Sequence, residues 1–296
     1  MRFITMEHAA RGLVPVLERD GTYYDLTELS AKASEAGILP HGYPVSLDTV
    51  FRYGDPWAWE QLVREQYREL PTLELHPDAP LAPPVRDGDI ICVGRSYAEH
   101  ARELGNEVPD RPLLFMKPRS SLIGHNHTVF LPADTIHAEY EGELVLVIGK
   151  PLYGEVSAEE AASAVWGLTL MNDITDRGMQ GKLKEKGKPW LAAKGRPGFA
   201  PLGPAVFPVR ELECSIDDLT LSLSVNGKRR QTGSPAQWLW PLGELVRSIA
   251  AITGLAAGSL IATGTPKGVG ELKSGDHVEI KAEHVGILAH DVKMQS

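Results

Sequence analysis

Three glutamates, Glu139, Glu141 and Glu143, alternate directly ahead of the apolar run Leu144 to Ile148, which Gly149 ends. The run is rich in β-branched residues and reads as a strand. Side chains two apart on a strand share a face. Three carboxylates on one face near a core repel one another unless a cation lies between them. A divalent metal site is therefore one reading of the row. An edge strand with a wet outer face is the other, since alternating glutamates are common there.

Further groups could share that chemistry. In Gly94-Arg95-Ser96-Tyr97-Ala98-Glu99-His100-Ala101-Arg102-Glu103-Leu104-Gly105, His100 and Glu103 are three apart and adjoin on a helix. A carboxylate beside an imidazole fixes its tautomer and raises its basicity, which makes a general base for water. The charged neighbours Glu99 and Arg102 equally suit an ordinary surface helix. Asp173, after the strand Trp166 to Met171, could complete an all-oxygen site, or it could be a turn aspartate. An oxygen site suits Mg²⁺ or Mn²⁺, with Ca²⁺ as a further option, and not zinc or copper. Lys194 sits in an apolar stretch, and Thr263-Gly264-Thr265-Pro266-Lys267-Gly268-Val269-Gly270 is a tight loop able to offer backbone N–H groups to an anion.

The elements that must position these groups are mostly strands. Phe3–Met6, Leu13–Leu17, Thr22–Leu26, Asp89–Val93, Leu219–Val225, Leu260–Thr263 and His277–Ile280 read as strands. Trp57–Leu70, Ala98–Leu104, Ala158–Val165 and Leu242–Thr253 read as helices. Five prolines between Pro71 and Pro84 mark an extended linker. The expected organisation is a small α+β N-terminal domain over 1–70, a Pro-rich linker over 71–86 and a catalytic domain over 87–296. The fold class is α+β and β-rich, not a doubly wound sheet.

Composition narrows the function. The 296 residues carry a formal net charge of −9, which argues against a nucleic-acid or anionic-membrane surface. Two cysteines, Cys92 and Cys214, make neither a disulfide framework nor a zinc motif. Met1 to His8 lacks the apolar core of a signal peptide, and no apolar run approaches the roughly 18 residues of a membrane span. A cytoplasmic enzyme is expected.

In order, Gly-Arg-x-Tyr-x-x-His-x-x-Glu, Phe-x-Lys-Pro, Tyr-Glu-Gly-Glu-Leu, Asn-Asp-x-Thr, Lys, Gly-Pro, Val-Asn-Gly, Thr-Gly-Thr-Pro-Lys-Gly-Val-Gly and Gly-Asp occur here. They are Gly94–Glu103, Phe115–Pro118, Tyr140–Leu144, Asn172–Thr175, Lys194, Gly203-Pro204, Val225–Gly227, Thr263–Gly270 and Gly275-Asp276. From about residue 88 onward the chain resembles the fumarylacetoacetate hydrolase family, in its bacterial two-domain type. The resemblance implies a mixed β-roll, a homodimer, and the metal ligands Glu141, Glu143 and Asp173, with Glu139 outside them. It implies the base dyad His100–Glu103, Lys194 as oxyanion stabiliser, and Arg177, Gln180 and Thr265 on substrate oxygens. The implied reaction is metal-dependent hydrolysis of a C–C bond in a 1,3-diketo acid through an enolate. Decarboxylation or isomerisation of a 2-oxo dicarboxylate is the alternative, and a non-catalytic binding protein a third. Departures from the family pattern fall at Ser96, Asp176-Arg177-Gly178, Arg196-Pro197-Gly198-Phe199, Gly124-His125-Asn126-His127 and Thr232–Trp238. Their clustering leads us to expect an atypical substrate. His125 and His127 read as a polar loop or as metal ligands.

Overall fold

The computed structural model describes all residues except 104, 106 and 296. Among the described residues, twenty strands form sheets of twelve, three and five strands, joined by eight α-helices. The fold is α+β and β-rich. In the large sheet the strands run Thr72–Leu73, Thr22–Asp25, Gly12–Arg19, Arg2–His8, Ala200–Pro208, Val165–Asn172, Gly142–Ile148, Leu260–Ala262, Ile90–Gly94, Leu113–Lys117. Leu81–Ala82 and Leu122–Ile123 pair at its flanks. The five-stranded sheet runs Lys228–Gly233, Leu221–Val225, His277–Ala282, Gly286–Met294, His127–Leu131.

The strand Gly142–Ile148 is buried at every position, between Val165–Asn172 and Leu260–Ala262. This excludes the wet edge strand. Both faces of the strand are covered, which explains a continuous apolar run in place of alternation. Leu144, Leu146 and Ile148 join a core with Leu221, Leu223, Ile280 and Leu288 of the five-stranded sheet. Val145 and Val147 join a second core with Phe3, Leu17, Phe51 and Trp59. The first 70 residues thus share a sheet and a core with the rest of the chain: Arg2–His8 pairs with Ala200–Pro208, and Phe3 and Phe51 both pack on Trp166.

Several expectations change. The glutamate row is not one continuous strand. Ala138–Tyr140 belongs to the three-stranded sheet with Thr175–Asp176 and Gly270–Glu271, and Glu141 lies in neither it nor Gly142–Ile148. The chain crosses between sheets at Glu141-Gly142. A Cβ on Gly142 would come 3.0 Å from the Leu223 side chain, so any larger residue at the crossing requires Leu223 to shift. Helices Leu29–Glu35, Leu47–Tyr53, Arg177–Glu185 and Leu191–Lys194 exceed the sequence reading. The expected helix Trp57–Leu70 starts at Pro56, capped by Asp55 on the N–H groups of Trp57 and Ala58, and tightens to a 3₁₀ turn at Tyr67. The helix expected over Ala98–Leu104 is observed over Ala98–Glu103, Leu104 lying outside the described residues.

Candidate active site

Glu141, Glu143 and Asp173 each offer an oxygen within 4.8 Å of the others, and each is at most 5 % exposed. Strand ends bring them together. Glu143 is the second residue of its strand, opposite Met171, and Asp173 follows the partner strand directly. The Asp173 N–H donates to the Glu141 carbonyl at 2.8 Å, which ties the two segments where the ladder stops. Glu139 lies apart from this group, on Arg177 Nε at 2.7 Å and His137 Nε2 at 3.1 Å.

Cations surround the carboxylates unevenly. Lys194 Nζ donates to Glu141 Oε2 at 2.7 Å and Asp173 Oδ2 at 2.6 Å. Arg177 bonds Glu141, Glu139 and Gln180. Glu143 has no ion pair among the described residues; it accepts a backbone hydrogen bond from Gly264 at 2.8 Å. Burial opposes ionisation of Glu141, but Lys194 and Arg177 outweigh it and hold its carboxyl well below the usual range. Burial, then the neighbouring Asp173 and Glu141, push Glu143 well above it. Burial also works against the charge on Lys194, yet Asp173 and Glu141 raise it to about 12. A buried carboxylate short of positive charge, in an all-oxygen cluster, fits a hard divalent cation.

The remaining expected residues converge on the same cavity. It is lined by His100, Arg177, Gln180, Lys194 and Thr265 with the three carboxylates. His100 Nδ1 lies 3.3 Å from Glu103 Oε2, and Glu103 in turn accepts from the Gly268 N–H at 2.9 Å. Two N–H groups of the glycine-rich loop thus donate to carboxylates of the chain itself, Gly264 to Glu143 and Gly268 to Glu103, and the second anchors the dyad. Thr265 Oγ1 donates to the Gly142 carbonyl and accepts from Gln231. Its hydroxyl serves the strand crossing as well as the cavity wall. The histidines of the atypical loop join no metal cluster among the described residues. His125 Nδ1 accepts from the Ala289 N–H at 3.0 Å, and His127 pairs with Glu7. Asp176 caps the helix Arg177–Glu185 and accepts from the N–H groups of Ile136 and His137, while Arg196 lies 3.7 Å from it. Two atypical positions are thus partners in a structural contact.

Sequence reasoning missed Lys117. Its Nζ donates to Asp173 Oδ1 at 2.6 Å and to the Ile174 carbonyl at 3.1 Å, fully buried at the end of Leu113–Lys117. A lysine closing an apolar strand, within Phe-x-Lys-Pro, was the available signal. Lys184, Arg95 and Trp190 line the cavity too and had no assigned role.

A buried carboxylate triad at the end of a central antiparallel pair, with an imidazole–carboxylate dyad and a lysine facing it, defines an enzyme-like site on a β-rich scaffold. The profile of the Fumarylacetoacetate (FAA) hydrolase C-terminal family matches residues 89–293. The chain belongs to that family. A 2,4-didehydro-3-deoxy-L-rhamnonate hydrolase of Sphingomonas sp. is 37% identical over 213 residues, covering 69% of this chain and 73% of that one. The oxaloacetate tautomerase YisK of Bacillus subtilis is 31% identical over 314 residues, covering 99% and 100%. Among solved structures, a 5-carboxymethyl-2-hydroxymuconate delta-isomerase from Mycobacterium smegmatis superposes with a TM-score of 0.74 at 30% identity, covering 100% of each chain. The family is one of hydrolases, isomerases and tautomerases. No helix among the described residues is long and apolar enough to cross a membrane.

Proposed function

We propose that this protein is a divalent-metal-dependent hydrolase that cleaves a C–C bond in a 1,3-diketo acid. The observation that carries this is the meeting of the Glu141–Glu143–Asp173 triad, the His100–Glu103 dyad and Lys194 around one cavity. The three carboxylates would hold Mg²⁺ or Mn²⁺, which when bound supplies Lewis-acid stabilisation of charge on substrate oxygens.

The chain's own residues account for the rest. Glu103, fixed by Gly268, orients the His100 ring through Nδ1 and leaves Nε2 for a water. His100 takes a proton from that water as its oxygen bonds to the distal carbonyl carbon. The C–C bond then breaks, its electron pair passing to the 2-oxo acid fragment as an enolate that is reprotonated on carbon. Lys194, cationic at neutral pH, stabilises oxyanion charge as it develops. Arg177 and Gln180, already bonded to each other, present donors for substrate oxygens, and Thr265 lines the same cavity.

A second reading is tautomerisation or isomerisation of a 2-oxo dicarboxylate, with decarboxylation related to it. The end-to-end similarity to a tautomerase and to an isomerase favours it. Incubation with acylpyruvates and with oxaloacetate, in Mn²⁺ and in chelator, separates the readings. Chelator-sensitive release of pyruvate plus an acid supports hydrolysis. Enol–keto conversion of oxaloacetate with no cleavage of any acylpyruvate would overturn it. The proposed protein is a homodimer, which light scattering would test.

A further inference from the structure

At Glu141-Gly142 the chain leaves one sheet and enters another, so two successive N–H groups have no ladder carbonyl opposite them. Buried N–H groups need partners. Two side-chain amides supply them. Asn172 Oδ1 accepts from the Glu141 N–H at 2.9 Å, and Gln231 Oε1 accepts from the Gly142 N–H at 3.0 Å. An amide used this way must present oxygen, not nitrogen, and a half-turn about its last torsion swaps the two. Each amide therefore needs a lock at its other end. For Gln231 the lock is on the same side of the site: its Nε2 donates to the Pro266 carbonyl at 2.7 Å and to Thr265 Oγ1 at 2.8 Å.

For Asn172 the lock comes from elsewhere. Asn172 Nδ2 lies 2.9 Å from Nε2 of His290, on the strand Gly286–Met294 of the five-stranded sheet. An amide nitrogen only donates, so His290 Nε2 must accept and the ring proton must sit on Nδ1, which faces the Asp291 carbonyl at 3.4 Å. Asn172 and His290 are at most 1 % exposed. Burial lowers the His290 pKa to about 4 and keeps Nε2 free to accept. An apolar pair would fill this space without the cost of burying polar groups. A turned Asn172 would set its NH₂ against the Glu141 N–H.

We infer that His290 is a positioning residue for the metal centre: it fixes the Asn172 amide, which in turn fixes the backbone at Glu141 and the approach of that carboxylate to Asp173. This rests on the proposed reading of Glu141 as a ligand. Partners one step removed from a metal ligand typically change affinity by about 10- to 100-fold when lost.

The test compares His290→Leu, which keeps bulk but cannot accept, with His290→Gln, which can. Mn²⁺ affinity is measured by calorimetry and electron paramagnetic resonance on the full chain, and the melting temperature of the metal-free protein is recorded alongside. We expect His290→Leu to weaken Mn²⁺ binding about tenfold or more, and His290→Gln to recover most of it at a comparable melting temperature. Equal affinity for the wild type and His290→Leu overturns the inference. So does an equal loss in both variants, which would mark a merely structural role. The wild-type protein offers an independent arm that requires no variant to fold. Long-range ¹⁵N NMR of histidine-labelled protein at neutral pH should show His290 as the Nδ1–H tautomer, and an Nε2–H tautomer overturns the inference. Wild-type protein that fails to bind Mn²⁺ sinks the ligand reading itself, while the NMR arm still judges His290.

Discussion

The two walls of the cavity are built differently. One is made of strand ends: Glu141, Glu143 and Asp173 stand where antiparallel ladders stop, with both sheet faces buried behind them. The other is made of short helices: His100 rides on the six-residue Ala98–Glu103, and Arg177 and Gln180 on the nine-residue Arg177–Glu185. A six-residue helix has almost no stability of its own. Its position depends on Glu103 holding Gly268 and on Tyr97, whose hydroxyl accepts from Trp238 Nε1 at 2.9 Å. In the proposed function the strand wall would place fixed ligands, and the helical wall the groups that exchange protons and meet substrate. Rigid elements suit the first task and adjustable ones the second.

The contrast can be broken from the strand side first. Glu143→Ala and Asp173→Ala should abolish both Mn²⁺ binding by calorimetry and turnover. Retention of either would show that the strand wall is not a metal wall. On the helical side, His100→Ala should lower kcat for hydrolysis by roughly 10²- to 10⁴-fold while Mn²⁺ affinity stays within about twofold of wild type. A parallel fall in metal affinity would erase the division of labour. A third, smaller effect concerns pH and the back of the strand wall. The folded-state pKa of His290 is about 4, below the ordinary value of 6.5, so the unfolded chain binds the proton first. Stability is full above pH 6.5 and falls as pH drops toward 4, by up to about 3 kcal/mol from this residue. Over that range the wild-type urea midpoint should fall relative to that of His290→Gln, which has no imidazole to protonate; parallel curves would contradict the shift. The smallest effect is expected for Tyr97→Phe. It leaves the buried Trp238 N–H without its partner and should cost about 1–3 kcal/mol of stability in urea unfolding, with no change in Mn²⁺ affinity.

The strand wall was the more legible of the two. The apolar run Leu144–Ile148, the carboxylates ahead of it and Asp173 after Trp166–Met171 all stand in the amino-acid sequence, because a strand between two cores leaves a strong local signature. The crossing at Glu141 left no such mark. Period-two spacing predicts one face for Glu139, Glu141 and Glu143, whereas the partners that separate them, Asn172, Gln231 and Thr175, come from distant segments. The helix Arg177–Glu185 was hidden by Gly178 and Gly181, which lower helix propensity; its stability comes from the Asp176 cap and from Arg177 and Gln180 facing each other. The strand Ala200–Pro208 was hidden by its prolines at 201, 204 and 208. Lys117 stood in plain view within its motif, but only the fold brings it to Asp173. The first 70 residues read as a separate unit because a proline-rich segment follows them, and nothing in local pattern reports that Phe3 and Phe51 meet Trp166.

That last contact has a consequence for how the site can be moved or inherited. Trp166 lies on the strand that leads to Asp173, and the residues leaning on it come from the opposite end of the chain. A segment transplanted from residue 87 onward would carry the carboxylate triad, the His100–Glu103 pair, Lys117 and Lys194. It would also arrive without Phe3, Leu17, Phe51 and Trp59, which share a core with Val145, Val147 and Met171. The chemistry is written in one stretch of the chain, and the backrest it works against is written in another.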